Sequence, residues 1–251
     1  MKKIILKPLV LGISLLFIAL AFQPAMSKIE IKKEEVEPKQ YLYETIIEII
    51  NNPDIKNLLN QVENKQKNNY NHYIACDLDG KEVVQKLLFK KPYLLYTILF
   101  TESKLTINHL DSSYNRGCQA INILGEKNVI KTIESVEIVN PEVFDNIQNF
   151  VINNEGLQDR IITLINLNKE LDPNIPFRNY SIICKTLLIL FYVYLIRCII
   201  TYYFSKFFEG KTMILVILNL LWFKNWELAG VYLLIFKMIY DTIGCEKPTP
   251  S

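Results

Sequence analysis

The middle of the chain repeats its apolar positions with the period of an α-helix. Its successive apolar faces are Leu42, Ile46, Ile49 and Ile50; then Ile55, Leu58, Leu59 and Val62; then Val143, Phe144, Ile147 and Val151; and last Leu157, Ile161, Leu164, Ile165 and Leu171. Apolar residues three and four positions apart line one side of a helix, which buries that side against a core. The pattern predicts an all-α domain over residues 41–178.

Asparagine followed by proline marks the start of two of these helices. Asn52 precedes Pro53, and Asn140 precedes Pro141. Asparagine is a favoured N-cap, and proline fits the first helical turn because its missing N–H has no partner there anyway. Proline inside a helix breaks it, so residues 81–101 are predicted to form two short helices divided at Pro92. The run YLLYTILF is also short and aromatic enough to be a buried strand.

The first 27 residues are mostly apolar but do not show the helical spacing of apolar positions seen in the middle of the chain. They combine three lysines, an apolar stretch and the small residues Ala25 and Ser27, which is the plan of a secretory signal peptide. An uncleaved N-terminal anchor is the alternative, and both place the following domain outside the cell. The charged run at residues 28–40 is typical of a solvated linker.

The C-terminal part, residues 179–240, is predicted to be a transmembrane region. Residues 182–204 are long and apolar enough to cross a bilayer, and a buried helix of a soluble domain is the alternative. Lys206 and Lys211 follow, where the positive-inside rule expects the cytoplasm. Residues 212–240 are either a second span or a re-entrant hairpin, and this choice decides on which side the tail at 241–251 ends.

Four polar residues interrupt the apolar C-terminal region. If its two segments form an antiparallel hairpin, Arg197 comes level with Asn219, and Lys185 comes within about a turn of Glu227. Lipid offers such groups no hydrogen bonds, so the sequence predicts that they pair inside the membrane and stabilise the hairpin. An ion or proton pathway is the alternative, because ionisable groups at membrane depth often mark function.

Charge is distributed unevenly along the 251 residues, whose formal net charge is +2. Residues 28–178 hold 22 acids and 18 bases, which makes the predicted domain net −4. Phosphate backbones attract basic clusters, and the sequence shows none in this domain. Nucleic acid is therefore excluded as an expected partner. The lipid bilayer, or another membrane protein, is expected instead.

The five cysteines divide between two environments. Cys76 and Cys118 lie in the polar domain, whereas Cys184, Cys198 and Cys245 lie in or beside the apolar C-terminal region. Outside the cell nothing keeps thiols reduced, so an even pair in one domain predicts a disulfide between Cys76 and Cys118. The alternative is two separately buried thiols that behave as small apolar side chains.

No catalytic, metal or cofactor site is predicted. The run YIACDLDG resembles the start of haloacid-dehalogenase-type phosphatases, which implies Asp77 as nucleophile and Asp79 as acid/base. However, Lys81 stands where that motif has threonine or valine, and a solvated turn rich in Asp and Gly explains the run better. His72 and His109 do not fall at zinc-ligand spacing.

The leader MKKIILKPLVLGISLLFIALAFQPAMS, the stretch CQAINILGEKNVIKTIESVEIVNP and the aromatic C-terminal segments resemble those of uncharacterised archaeal membrane-anchored exported proteins. No function is attached to that group. We therefore expect a structural or interaction module at the cell membrane with its main domain extracytoplasmic. The alternative is an enzyme or transport-complex component that uses polar groups in the membrane region.

Overall fold

The structure is a computed structural model that describes residues 37–65, 74–75, 80–99, 105–168, 180–208 and 229–245. Its helices are α1 (Pro38–Asn51), α2 (Pro53–Lys65), α3 (Gly80–Lys90), α4 (Pro92–Leu99), α5 (Ile107–Leu124), α6 (Glu126–Glu134), α7 (Pro141–Asn153), α8 (Glu155–Leu167), α9 (Ile182–Phe208) and α10 (229–242). The two-residue strands β1 (Ile74–Ala75) and β2 (Glu137–Ile138) pair antiparallel. The described part is thus mostly helical, which agrees with the all-α prediction.

The capping signals are confirmed at both predicted positions. Oδ1 of Asn52 accepts a hydrogen bond from the backbone N–H of Asp54 at 2.9 Å, at the start of α2. Oδ1 of Asn140 accepts one from Val143 at 3.4 Å, at the start of α7. The first helix, α1, begins at Pro38 rather than near Tyr41, because a proline at the first turn already has helical φ.

Residues 81–99 form two helices divided at Pro92, and the strand alternative for this segment is wrong. The N–H of Lys91 still donates to the carbonyl of Leu87 at 2.8 Å, so α3 closes its last turn before the proline starts α4. Their buried side chains lie on one side of each helix: Val83, Val84 and Leu87 on α3, and Leu94, Leu95 and Ile98 on α4.

The apolar faces of α7 and α8 are confirmed with one exception. Val143, Phe144, Ile147 and Val151 are buried on α7, as are Leu157, Ile161 and Leu164 on α8. Ile165 was expected to face inward and is 42% exposed, so this prediction is wrong. It follows Leu164 directly, and one helical step turns a side chain about 100° away from the buried stripe. Leu171 lies outside the described residues.

The long apolar helix α9 lies in the middle of this arrangement. Every side chain from Ile183 to Arg197 is buried, on all faces of the helix. Helices α1, α3, α4 and α5 contact it, and α5 makes the most extensive contact. Within the described residues, Ile182–Thr201 is also the one helical stretch long and apolar enough to cross a membrane. Length and composition therefore permit a span, while the packing encloses the same residues in protein.

Helix α5 lies close to α9 at Gly117. A Cβ atom built on Gly117 would lie 2.5 Å from Cγ2 of Ile189 and 2.9 Å from its backbone oxygen. Glycine within a helix costs about 1 kcal/mol relative to alanine, and here its lack of a side chain lets the two backbones approach. Neither α5 nor α6 was predicted from the sequence, although α5 is the main neighbour of α9.

Candidate functional site

A disulfide joins the first turn of α9 to Cys245, three residues beyond the end of α10. It links Cys184 and Cys245, which are 61 positions apart in sequence and have Cα atoms 5.5 Å apart. Both residues are buried, with 4% and 2% of their surface exposed. Both cysteines belong to the C-terminal region of the sequence, but a pairing between them was not predicted. Their pairing requires that the start of one helix meet the end of the other, which spacing alone does not reveal.

Aromatic rings of α9 and α10 also contact each other, further along the two helices from the disulfide. The ring of Tyr194 meets those of Tyr232 and Phe236 edge to face, each at a centroid distance of 5.4 Å. Since Cys184 precedes Tyr194 while Cys245 follows Phe236, the two helices run antiparallel. Nε2 of Gln148 on α7 donates to Oγ1 of Thr242 at 3.4 Å. Helix α10 therefore packs on α9 and also contacts α7.

A cleft of about 330 Å³ opens between α6, α9 and α10. Its apolar lining residues are Ile130, Ile133, Val136, Leu187, Leu188, Phe191 and Phe236. Four polar side chains complete the described lining: Glu134, Tyr180, Lys237 and Tyr240. Lys237 forms an ion pair with Asp241 at 2.5 Å, one helical turn away. The cleft therefore has an apolar interior beside a few polar groups.

This composition suits binding better than catalysis. Small-molecule sites are typically concave and mostly apolar, with volumes from about 300 Å³ upward and a few polar groups that fix orientation. The described lining contains phenols, one ammonium group and one carboxylate, but neither a cysteine or serine nucleophile nor a histidine base. An apolar side chain or a small apolar ligand fits the volume.

Apart from the cleft, a cluster of polar side chains lies between α1 and α5. Nζ of Lys39 donates to Oδ1 of Asp111 at 2.6 Å and lies 4.0 Å from the ring centre of Tyr114, a cation–π contact. Tyr43 is 2% exposed, and within the described part of the chain its hydroxyl has no hydrogen-bond partner. Burial, with the Asp111 charge second, raises the pKa of Tyr43 above its ordinary value.

Cys118 belongs to the same cluster and forms no disulfide with another described residue. Burial raises its pKa, while a hydrogen bond with Tyr114 and the positive charge of Lys39 act in the opposite direction. A thiol with a raised pKa is a poor nucleophile, because the thiolate is the reactive form. Cys76 lies outside the described residues, so the predicted bridge between Cys76 and Cys118 stays a prediction.

Two of the four polar residues predicted to pair in the membrane region, Lys185 and Arg197, are buried in α9. Lys185 is 0% exposed and Arg197 is 5% exposed. Lys185 follows Cys184 in the first turn of α9, and Arg197 lies on the turn after Tyr194. Asn219 and Glu227 lie outside the described residues, as do the leader at 1–27, Asp77, Asp79 and the tail from 246. The pairs Arg197 with Asn219 and Lys185 with Glu227 stay predictions.

Among the described residues, no group of three or more His, Cys, Asp or Glu side chains could hold a metal ion. The candidate site is thus the apolar cleft together with the disulfide that fastens α10 beside it. Comparison of the chain with protein-family models, with curated proteins and with solved structures gives no match.

Proposed function

We propose that this chain is an exported, membrane-associated helical module that works through structure and interaction rather than catalysis. The observation that carries the proposal is the buried disulfide between Cys184 and Cys245. Disulfides form and persist outside the cytosol, in oxidising compartments. The disulfide therefore supports the extracytoplasmic location that the leader implies.

The disulfide also constrains the side of the membrane on which the C-terminal tail lies. Because it ties the end of α10 to the start of α9, both lie on one side of any membrane. Residues 28–178 lead directly into α9, so this side is the extracytoplasmic one in our proposal. The disulfide thus supports an extracytoplasmic C-terminal tail.

The packing of α9 favours the alternative in which this helix is the core of the exported domain. A helix that spans a membrane alone exposes its side chains to lipid, whereas α9 buries fifteen consecutive side chains, from Ile183 to Arg197, inside the protein. Its neighbours α3 and α5 also carry solvent-exposed lysine, glutamine and asparagine side chains that do not suit a hydrocarbon interior. In this proposal membrane association comes from another part of the molecule.

The compartment is tested by trapping thiols in intact cells. Cells that express the full chain are treated with an alkylating reagent during denaturation, without reductant, and the peptides are identified by mass spectrometry. We expect a linked peptide pair that contains Cys184 and Cys245, and alkylation of both only after reduction. Complete alkylation of both residues without reductant would contradict the proposal.

The interaction role is tested at the cleft with a hydrophobic dye. Anilinonaphthalene sulfonate should fluoresce with the folded wild-type protein, because the cleft offers an apolar surface beside Lys237. Val136→Trp, which fills the cleft, should reduce this fluorescence. Ile162→Trp, at a position 48% exposed on α8, is the matched control and should not reduce it. Equal fluorescence from both variants would contradict a binding role for the cleft.

A further inference from the structure

Large apolar side chains are exposed where α3 meets α4. Phe89 is 84% exposed, Tyr93 77%, Tyr96 57% and Leu88 49%. Other exposed apolar residues in the described part, such as Ile152 and Ile165, are less exposed, at 41% and 42%. We call the four residues, together with the exposed Lys90 and Lys91, the α3–α4 face. Four large exposed apolar side chains within nine residues are a candidate interaction site, because soluble proteins seldom expose such side chains in groups.

The fold does not need these side chains on its surface. Helices α3 and α4 already bury an inward face. Leu87 and Leu94 are 0% and 3% exposed, while their neighbours Leu88 and Tyr93 are 49% and 77% exposed. Exposed aromatic rings give the folded state little stability, because burial of apolar area is what stabilises it. Their position is therefore better explained by a partner than by folding.

The segment that carries the α3–α4 face is basic within an acidic domain. Residues 81–99 contain four lysines and one glutamate, net +3, although residues 28–178 as a whole are net −4. The one glutamate, Glu82, is already paired with Lys86 at 2.6 Å. Lys90 and Lys91 adjoin the exposed rings, and Lys91 makes an exposed hydrogen bond to Gln119 at 3.3 Å. The face therefore presents positive charge to an anionic partner.

We propose that the α3–α4 face docks on the surface of a bilayer that contains anionic lipids. Tyrosine and other amphipathic aromatic residues are enriched at the membrane interface, where a ring can enter the headgroup region while its polar end stays wet. Lysines beside them attract anionic headgroups. A protein partner fits less well, because lysine is depleted from protein–protein interfaces.

This inference rests on the proposed membrane association and names the surface that provides it. It does not depend on the placement of α9 or on the cleft. Failure of the docking test would leave the disulfide and dye experiments unaffected, and failure of those experiments would leave the docking result interpretable.

The test uses the full chain with p-benzoylphenylalanine in place of Phe89 or Tyr93. The matched control carries it in place of Ile162, which is 48% exposed on α8. Each protein is mixed with vesicles of phosphatidylcholine alone, or of phosphatidylcholine with phosphatidylglycerol, and irradiated. We expect lipid adducts at positions 89 and 93 with the anionic vesicles, and far fewer at position 162.

Charge dependence provides the second readout. Each lysine near an anionic surface contributes on the order of a fivefold change in binding, so Lys90→Gln and Lys91→Gln should each lower the adduct yield about fivefold. High salt and neutral vesicles should lower it as well. Equal adduct yields at 89 and 162, yields independent of lipid charge, or adducts mainly with a second copy of the chain would each overturn the proposal.

Discussion

Helices α4 and α9 are both strongly apolar, but they occupy different places in the molecule. α4 has the sequence PYLLYTIL, without a charged side chain, whereas α9 contains both Lys185 and Arg197. Nevertheless residues 183–197 of α9 are buried on all faces, while α4 leaves Tyr93 and Tyr96 largely in solvent. The more purely apolar segment is thus the one at the surface. Hydropathy indicates that a helix avoids water, but it does not indicate which neighbours cover it.

The neighbours account for the difference. Four amphipathic or short helices, α1, α3, α4 and α5, turn their apolar sides toward α9. α4 is one of these surrounding helices. It is also bonded to α5, because Nη1 of Arg116 on α5 donates to the carbonyl of Thr97 at 2.9 Å. A helix in the outer layer can bury only one side. The following predictions test whether α9 depends on its protein neighbours in a way that α4 does not.

The largest effect is expected from opening the disulfide that fastens α10 to α9. Closing a loop of 61 residues stabilises the folded state by about 4 kcal/mol in the chain-entropy estimate. Cys184→Ser should therefore lower the free energy of unfolding in denaturant by about this amount. Cys245→Ser should have the same effect, and reductant should bring the wild type to the same value. A reduced wild type as stable as the oxidised one would contradict the role of this bridge.

Truncating α9 and α4 at one residue each should separate a core position from a surface one. Leu190 is 0% exposed, so Leu190→Ala should lower the free energy of unfolding by about 2–5 kcal/mol through lost burial and a cavity. Tyr93→Ala, at a position 77% exposed, should change it by less than about 0.5 kcal/mol. Denaturant unfolding of the two variants checks this. Similar losses at both positions would remove the distinction between the two helices.

Tyr43, in the contact between α1 and α5, is expected to make the free energy of unfolding fall at alkaline pH, which is a smaller effect. Burial keeps the Tyr43 hydroxyl protonated in the folded protein, because it raises the pKa, whereas the unfolded chain ionises it near pH 10. The unfolded state then binds fewer protons, so stability falls as pH rises above about 10, by up to about 1.4 kcal/mol per pH unit.

The matched variant for this effect is Tyr43→Phe. It removes a buried hydroxyl that has no hydrogen-bond partner in the described part of the chain, so stability at pH 7 should stay equal or rise. The alkaline loss should shrink relative to wild type in denaturant unfolding at pH 8 to 11. An unchanged pH curve in Tyr43→Phe would show that another group causes the loss.

Local signals in the sequence predicted much of the helical structure. The Asn–Pro pairs at Asn52 and Asn140 and the break at Pro92 act through neighbouring residues, so they can be recognised without knowledge of the fold. The apolar stripes of α7 and α8 are similarly local. Ile165 shows the limit of such patterns, because an apolar residue beside a stripe can face either way.

The contacts that α9 makes with its neighbours could not be predicted from such local patterns. The buried face of α5 does follow helical spacing, with Leu110, Tyr114, Ile121 and Leu124, but it also includes the small residues Ser113, Gly117 and Ala120. Small residues there permit close packing, a property that appears only when the partner helix is known. The disulfide likewise depends on the antiparallel arrangement of α9 and α10. The cleft, which these two helices share with α6, was missed for the same reason.

The most direct test of the enclosed α9 is the pair Gly117→Ala and Gly156→Ala, compared by denaturant unfolding. A Cβ at Gly117 would meet Ile189 on α9 at 2.5 Å, whereas one at Gly156 would meet only Oδ1 of Asn154, at 3.6 Å. Overpacking typically costs about 1–3 kcal/mol, while alanine gains up to about 1 kcal/mol in helix propensity. We predict that Gly117→Ala lowers the free energy of unfolding and that Gly156→Ala leaves it equal or raises it. If both variants are equally stable or more stable than wild type, α9 does not pack on α5 and the account of an enclosed core helix is wrong.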